Sequence, residues 1–375
     1  MNHCNYYLPT RIIFGVGCFE KIGDCLKNFP GKRVLLVTGM NAMKKKGYID
    51  KAIKLLGDYA VEIFDRVEPN PSTEIIKDGI EFATEKRSEI IIGMGGGSAL
   101  DVGKVIAIIV KNGGKLENHL KKPEKINTPP LPYVTVPTTA GSGGEVTKFA
   151  TVWDKKNLKK NSLAHNFMFP KIALVDPTMT LGLPPDVTAA SGLDALCHSV
   201  EACWAKTSNM ISDTFALESI RLITANLHGA FSEPDNLHFR ENMMKASLYA
   251  GLAFSNTRTT AAHSVSYPLT LRFGIPHGLA CATTLIEFMK FNYHAAKEKI
   301  NLILNAIGAN NLESGCKKLE KLMNDLKIPT SLSQMGLNRD DIDILVNEGF
   351  TQGRVENNPR EVTEAGLRKI LEAIF

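Results

Sequence analysis

Apolar strand segments alternate with helical segments along the first half of this chain. Predicted strands cover 33–39, 59–65, 88–95, 131–137 and 171–176, and predicted helices cover 47–58, 72–87 and 98–110. Strands that are apolar along nearly their whole length are buried on both faces, and strands linked through helices run parallel. The pattern therefore predicts an α/β fold with a parallel, Rossmann-like sheet. Residues 6–15 fit either a hairpin or an edge strand.

The character of the sequence changes at the segment PTMTLGLPPD (177–186). Strand signals end there, and helical periodicity continues from about Val187 to the C terminus. The first of these helices has Asp186 in a position suited to an N-cap. The chain of 375 residues is long enough for two domains. We expect an α/β domain over 1–180 and an all-α domain over 181–375.

Composition excludes several classes of function. No apolar run approaches the ~18 residues of a membrane span, and the first residues lack the pattern of a secretory signal. The net charge of +5 is modest, and the basic runs at 44–46 and 155–160 lack the interleaved aromatics of a nucleic-acid platform. Seven cysteines without paired spacing indicate reduced thiols. We expect a cytoplasmic protein that binds neither nucleic acid nor membranes.

A glycine-rich segment, IIIGMGGGSALDVGK (90–104), joins a predicted strand to a predicted helix. Gly95, Gly96 and Gly97 let the backbone approach a phosphate without a Cβ in the way, and the helix start at Ser98 attracts anions. The segment lacks the last glycine of GxGxxG and follows the third strand, so it departs from the usual Rossmann fingerprint. We interpret it as a pyrophosphate site; the alternative is a flexible turn.

A second polar loop, PTTAGSGGEVTKF (137–149), follows the next predicted strand. Its Thr138, Thr139 and Ser142 offer hydroxyl groups at the carboxyl edge of the sheet, where open α/β sheets bind ligands. Two such loops on one edge predict a dinucleotide.

The end of the first predicted strand bears on which dinucleotide binds. NAD sites place a carboxylate there, and its charge repels a 2′-phosphate. This chain has Gly39 in that place, followed by Asn41, Lys44 and Lys45. We therefore expect NADP(H) in preference to NAD(H), although the lysines could equally be a solvated surface run.

A set of acidic and imidazole side chains has the spacing of a metal site. Asp194 and His198 lie four residues apart in a predicted helix and share one face, with Glu201 one turn further. Alone, such a pair is more often hydrogen-bonded than ligating. His263 and His277 supply two more imidazoles, and together the Asp/His/His/His set suits Fe(II), Zn(II) or a similar divalent metal.

Four motifs in this order resemble the iron-containing (group III) alcohol dehydrogenase family: GGGSALDVGK, PTTAGSGGEVT, LVDPTMTLGLPPDVTAASGLDALCHSVEAC and IPHG. The resemblance implies a dinucleotide-binding domain followed by a helical metal- and substrate-binding domain, and a homodimer. It places the metal, Fe(II) before Zn(II), on the same four residues. The implied cofactor contacts are Gly95, Gly96, Gly97, Ser98, Asp101, Thr138, Thr139, Ser142 and Lys160.

The implied reaction is reduction of an aldehyde to a primary alcohol, in which the metal polarises the carbonyl group and the nicotinamide delivers a hydride. Many relatives carry a further histidine four residues after the third ligand, placed to relay a proton. This chain has Tyr267 there. A phenol with a reference pKa of ~10 is a poorer relay near neutrality, so Tyr267 is either a relay or a substrate contact.

The stretch RTTAAHSVSYPLTLRFGIPHG resembles the branch that includes phosphonoacetaldehyde reductases. A phosphonate dianion calls for cations and hydrogen-bond donors. The candidates for substrate contact are Arg258, Thr259, Lys148 and Phe149. Arg258 could instead be a surface arginine or part of an ion pair between domains.

Two other functions stay open at this point. The first is a general NADP-dependent reductase of short-chain aldehydes. The second is a lyase of the dehydroquinate synthase type, which shares the fold but recycles its cofactor within each turnover.

Overall fold

The computed structural model describes residues 3–375, and contacts divide them into two compact units. We call Leu8–Thr139 with Gly144–Thr180 the N-terminal unit. The C-terminal unit comprises Leu181–Phe375, the short segment Ala140–Gly143 and the described residues up to Tyr7.

The N-terminal unit is built on a six-stranded sheet. Its strands are β1 (Arg11–Phe14), β2 (Arg33–Gly39), β3 (Ala60–Val67), β4 (Ile90–Gly95), β5 (Tyr133–Pro137) and β8 (Ile172–Val175). They run parallel in the order β1-β8-β5-β4-β2-β3. Residues 11–14 thus form an edge strand, which settles the choice left open for that segment.

Six helices accompany the sheet in this unit. They are α1 (Ile22–Leu26), α2 (Ala42–Lys45), α3 (Tyr48–Leu56), α4 (Thr73–Glu85), α5 (Gly97–Asn112) and α6 (Leu116–Lys121). Side chains of β2 alternate between two apolar cores, with Leu35 and Val37 in one and Val34 and Leu36 in the other. Both faces of the sheet are therefore buried, as the apolar strands predict.

Close packing of α5 on the sheet depends on two glycines. The hydroxyl of Tyr133 donates to the carbonyl of Leu100 at 2.7 Å. A Cβ on Gly93 would lie 2.3 Å from that hydroxyl, and one on Gly103 would lie 2.9 Å from it. Gly93 lies in the middle of β4, where its role is packing, and the phosphate loop follows from Gly95, the last residue of that strand.

A hairpin interrupts the alternation of strands and helices, and the sequence patterns above do not predict it. β6 (Phe149–Asp154) pairs antiparallel with β7 (Lys159–Ala164), with Phe149 opposite Ala164. β7 has the sequence KKNSLA, with one buried residue, so it lacks the apolar character of the other strands.

The C-terminal unit contains nine helices in its described residues. They are α7 (Pro185–Trp204), α8 (Met210–Ser232), α9 (Leu237–Thr257), α10 (Ala261–Phe273), α11 (His277–Asn292), α12 (Lys297–Ile307), α13 (Leu312–Asp325), α14 (Asp341–Glu348) and α15 (Glu364–Ala373). The Rossmann-like sheet followed by helices confirms the predicted fold class. One detail is wrong: Pro184 occupies the N-cap of α7 and Asp186 lies inside its first turn, because the helix already begins at Pro185.

Candidate metal centre and cofactor-binding loops

Helix α7 carries Asp194, His198 and Glu201 and is buried around most of its circumference. The spacing of four and then three residues places the three side chains along one face. All three are buried, with Glu201 fully so. A helix packed on all sides holds polar groups only where other groups pair with them.

Helices α10 and α11 bring His263 and His277 to the same place. His263 lies in the first turn of α10, and His277 is the first residue of α11. Gly278 makes the approach of α11 to α7 possible, because a Cβ there would lie 1.9 Å from the carbonyl oxygen of Ala190 and 3.0 Å from the Cβ of Asp194. The glycine of the IPHG motif is therefore needed for the contact.

Four candidate ligand atoms cluster at this point. Asp194, His263, His277 and Cys281 each place one such atom within 4.8 Å of the other three. Nε2 of His263 lies 3.6 Å from Oδ1 of Asp194, and Nε2 of His277 lies 3.9 Å from the same oxygen. Sγ of Cys281 lies 3.9 Å from both ring nitrogens of His277.

His198 lies against this cluster. Its Nδ1 is 3.9 Å from Oδ2 of Asp194, and its ring stacks on those of Phe254 and His263 at centroid distances of 4.1 and 4.6 Å. The structure thus brings together the four residues proposed as ligands and adds Cys281. Sequence reasoning missed the cysteine, although its position four residues after His277 on one helix face was a usable signal.

The polar atoms of the cluster fit a divalent metal. Oδ1 of Asp194, Nδ1 of His198 and Nε2 of His263 are buried and have no hydrogen-bond partner among the described residues. Buried polar atoms normally have partners, and a carboxylate with imidazoles is a donor set that borderline divalent metals accept. A metal bound here would satisfy all three atoms.

Glu201 orients His263 from behind. Its Oε2 accepts a hydrogen bond from Nδ1 of His263, and its Oε1 accepts from the backbone N–H and hydroxyl of Thr260 at 2.9 and 2.6 Å. A carboxylate in this position fixes the imidazole tautomer and leaves Nε2 for a metal. Helical spacing predicts Glu201 on the ligand-bearing face of α7, and the structure gives it this supporting contact with His263.

Burial and neighbouring charges shift the pKa values of the residues in this cluster. Burial raises the pKa of the Asp194 carboxyl, but His198, His277 and His263 outweigh burial and hold it well below its ordinary value. Burial lowers the pKa of His198 to about 4. Burial alone would raise the pKa of Cys281, yet His263 and His277 bring it down to about 7. The cluster therefore favours an ionised carboxylate and a readily ionised thiol.

Residues proposed for the proton relay and the substrate occupy α10 and the loop before it. The ring of Tyr267 stacks on that of His277 with centroids 5.9 Å apart. Arg258 follows the last residue of α9 with φ 64° and ψ −178°, a region that is essentially limited to glycine. Thr259 is buried, and its hydroxyl has no hydrogen-bond partner among the described residues.

Lys148 and Phe149 belong to the N-terminal unit. Nζ of Lys148 donates to Oδ1 of Asn166 at 3.1 Å, and Phe149 opens β6 with its carbonyl accepting from Nζ of Lys104 at 2.8 Å. Both residues thus have structural contacts of their own within this unit.

The predicted dinucleotide loops lie side by side at the carboxyl edge of the sheet. Thr38 pairs with Met94 and Gly95 with Pro137, so the ends of β2, β4 and β5 are adjacent. In the sheet, β3 lies on one side of β2 and β4 lies on the other. The strand order therefore reverses direction at β2, which makes this edge a topological switch point. Open α/β sheets bind their ligands at such points.

Individual loop residues have additional contacts. Gly96 is the N-cap of α5, and Gly97 and Ser98 form its first turn, where helix amides have no partner within the helix. The hydroxyl of Ser98 accepts from the backbone N–H of Asn70 at 3.2 Å. The backbone N–H of Thr138 donates to the carbonyl of Gly95 at 3.0 Å.

The remaining cofactor candidates are spread over both units. Asn41 is the N-cap of α2, which contains exposed Lys44. Asp101 accepts a hydrogen bond from the backbone N–H of Thr151 at 2.8 Å. Burial raises the pKa of the Asp101 carboxyl, and the positive charge of Lys160 on β7 partly opposes that rise. Ser142 and Thr139 fall in different units, because Ala140–Gly143 packs with the C-terminal unit.

Within residues 3–375, no helix combines the length and apolar character needed to cross a membrane. All seven cysteines are free thiols.

Comparison with known proteins agrees with these features. The iron-containing alcohol dehydrogenase family model matches residues 9–177, and the C-terminal model of the same family matches 188–375. A 1,3-propanediol dehydrogenase from Citrobacter freundii is 33% identical over 99% of this chain and 98% of its own.

Two solved structures are similar over the whole chain. A 1,3-propanediol oxidoreductase has a TM-score of 0.94 at 31% identity, with 100% of both chains covered. Sulfoacetaldehyde reductase from Bifidobacterium kashiwanohense, solved with NAD⁺, has a TM-score of 0.93 at 30% identity, with 100% of this chain and 99% of that one covered. The chain belongs to the iron-containing alcohol dehydrogenase family, and it is an oxidoreductase that interconverts alcohols and aldehydes with a nicotinamide cofactor and a divalent metal.

Proposed function

We propose that this enzyme reduces phosphonoacetaldehyde to 2-hydroxyethylphosphonate with NADPH. The N-terminal unit would hold the dinucleotide on the Gly95–Ser98 loop, and the C-terminal unit would hold the metal on Asp194, His198, His263 and His277. When bound, the metal supplies a Lewis acid for the carbonyl oxygen and the nicotinamide supplies the hydride.

The choice of substrate rests on the charged surroundings of Arg258. Arg258 is an exposed residue whose guanidinium is only partly shielded from solvent, and its Nη1 would lie 3.3 Å from a Cβ on Gly353. Burial lowers the pKa of Arg258, and the neighbouring charge of Arg354 lowers it further. No carboxylate of the described residues forms an ion pair with it. Two cations brought together at a strained backbone position favour a dianionic ligand.

Residues next to Arg258 link it to the metal centre. Thr259 contributes a buried hydroxyl that lacks a partner among residues 3–375, and Thr260 binds the carboxylate that orients His263. A similar protein reduces sulfoacetaldehyde, an acetaldehyde that also carries an anionic group. This similarity supports an anionic two-carbon aldehyde as the substrate class.

Tyr267 keeps two roles in this proposal. Its ring packs on His277, which places the side chain beside the metal ligands, where the alkoxide product would take up a proton. Either its hydroxyl donates that proton or it contacts the substrate.

The preference for NADPH rests on the end of β2. Gly39 stands there without a carboxylate to repel a 2′-phosphate, and α2 follows with Lys44 and Lys45. Cytoplasmic location and a homodimer remain predictions; light scattering of the purified protein tests the latter.

The experiment is a panel of aldehydes on metal-loaded protein. We expect kcat/KM with NADPH to be highest for phosphonoacetaldehyde, and Arg258→Ala to lower it by about 10- to 100-fold while leaving propanal unchanged, since a hydrogen bond to a charged group contributes about 1.5–3 kcal/mol. Exposed Arg87→Ala serves as the control. Equal kcat/KM for propanal, unchanged by Arg258→Ala, would instead establish a general short-chain aldehyde reductase.

A further inference from the structure

The metal centre of the C-terminal unit has one more donor than the four residues assigned to it. Cys281 is fully buried on α11, one helical turn after His277. Its Sγ belongs to the group of atoms that lie within 4.8 Å of one another, together with those of Asp194, His263 and His277.

Ordinary packing does not account for the surroundings of this thiol. A buried free cysteine usually acts as a small apolar side chain, and Cys203 on α7 is an example, since it is buried and belongs to no such cluster in the described residues. Cys281 instead faces two imidazoles and a carboxylate. Oδ1 of Asp194 and Nε2 of His263 are buried there without a hydrogen-bond partner among residues 3–375, which is what a shared metal would satisfy.

The position of Sγ is fixed by the backbone. Gly278 brings α11 into contact with α7 at Ala190, and residues four apart on a helix share a face. The same contact that delivers His277 to the centre therefore delivers Cys281.

We propose that Cys281 coordinates the catalytic metal through Sγ, so that the centre has a carboxylate, imidazole and thiolate donor set. Coordination forms a metal–sulfur bond and releases the thiol proton to solvent. Thiolate is a soft ligand that zinc and cobalt accept readily, whereas carboxylate and imidazole alone are harder donors. The centre therefore favours zinc over iron more strongly than it would without the cysteine.

Cobalt substitution tests this directly. We expect the Co(II)-loaded protein, without substrate or cofactor, to show a near-ultraviolet thiolate-to-cobalt charge-transfer band, and Cys281→Ala to lose it while still binding cobalt. Cys203→Ala removes a buried cysteine from the ligand-bearing helix and should retain the band. Cobalt content measured on each sample shows whether a missing band reflects loss of the sulfur ligand or loss of the metal.

Proton release gives a second readout that does not depend on the spectrum. Titration of zinc into apoprotein in two buffers of different ionisation enthalpy should release more protons from the wild type than from Cys281→Ala. A cobalt-saturated wild type without the band, or a band that persists in Cys281→Ala, would overturn the proposal. Neither outcome bears on the aldehyde or NADPH assignments, because no substrate is present.

Discussion

Glu201 on α7 and His263 on α10 form a buried carboxylate–imidazole pair in which Nδ1 of the histidine donates to Oε2 of the glutamate. The carboxylate is an obligatory acceptor, so the proton lies on Nδ1 and Nε2 is directed to the metal. The pair joins two helices that are distant in sequence and sets the tautomer of one ligand.

Glu201→Gln should therefore weaken metal binding. An amide can present its NH₂ group to Nδ1, which favours the wrong tautomer, and loss of such a supporting carboxylate typically reduces metal affinity about 10- to 100-fold. Competition of the protein with a chromophoric zinc chelator measures the change. Glu218→Gln, at a partly exposed residue of α8 that pairs with Arg221, is the matched control and should bind zinc as the wild type does.

Gly39→Asp should reverse the cofactor preference. A Cβ on Gly39 meets only the carbonyl oxygen of Val67, at 3.5 Å, so the fold accommodates a side chain there. The new carboxylate would repel the 2′-phosphate and accept from a ribose hydroxyl. We expect the ratio of kcat/KM for NADPH to that for NADH to fall by about 100-fold, since like charges brought together cost several kcal/mol.

Gly39→Ala supplies the steric control for that experiment. It adds the Cβ without the charge and should leave the ratio unchanged. An equal fall in both variants would assign the effect to shape rather than to electrostatics.

Two substitutions of Arg258 should differ in stability. Glycine accepts the φ of 64° and ψ of −178° found there, whereas alanine keeps the strain, which amounts to about 1–3 kcal/mol at such positions. Both variants lose the guanidinium, so the difference between their free energies of unfolding reports the strain less the greater unfolded-state entropy of glycine, about 0.4–1 kcal/mol. We expect Arg258→Gly to be the more stable by about 1 kcal/mol or more, measured by urea unfolding. A more stable Arg258→Ala variant would show that the backbone is unstrained, because alanine is then favoured by its lower unfolded-state entropy.

Glu145 should make stability depend on pH in the slightly acidic range. It is fully buried, and burial raises the pKa of its carboxyl to about 7, with Oε1 lacking a hydrogen-bond partner among the described residues. The folded state therefore binds more protons than the unfolded state between the ordinary value of 4.5 and about 7. Stability from this group is present at low pH and is lost as pH rises through that window.

Glu145→Gln removes the ionisation while keeping the shape. Its stability relative to wild type should be similar near pH 5 and higher by up to about 3 kcal/mol near pH 8, since one unit of pKa corresponds to about 1.4 kcal/mol. Chemical unfolding of both proteins in the same metal-loaded state at the two pH values measures this. A difference that does not change with pH would contradict the assignment.

Local patterns predicted much of the fold. β2 has the bounds expected from its apolar run, 33–39, and the other sheet strands lie within a few residues of theirs, because burial on both faces requires continuous apolar sequence. The hairpin of β6 and β7 escaped prediction because β7 is polar and is held by its pairing with β6, a partner that its own sequence does not encode.

In the metal centre, too, local sequence patterns predicted some residues and missed the contacts that depend on tertiary packing. Asp194 and His198 were predictable from helical spacing, and the sequence offered His263 and His277 as the two further imidazoles of a metal site. The hydrogen bond between Glu201 and His263, and the position of Cys281 opposite Asp194, depend on which faces of distant helices meet. The unusual backbone angles of Arg258 likewise arise because α9 ends there, and the local sequence does not predict them.

Helix α7 has a consequence for anyone who wishes to redesign this enzyme. Fifteen of its 20 residues are buried, so nearly every substitution along it would require repacking of its neighbours. In the segment 257–260 the three threonines are buried as well, and Thr260 holds the carboxylate of Glu201, so only Arg258 is exposed there. Libraries aimed at new aldehydes should therefore leave α7 and the three threonines intact and begin with Arg258, where a new side chain displaces no buried neighbour.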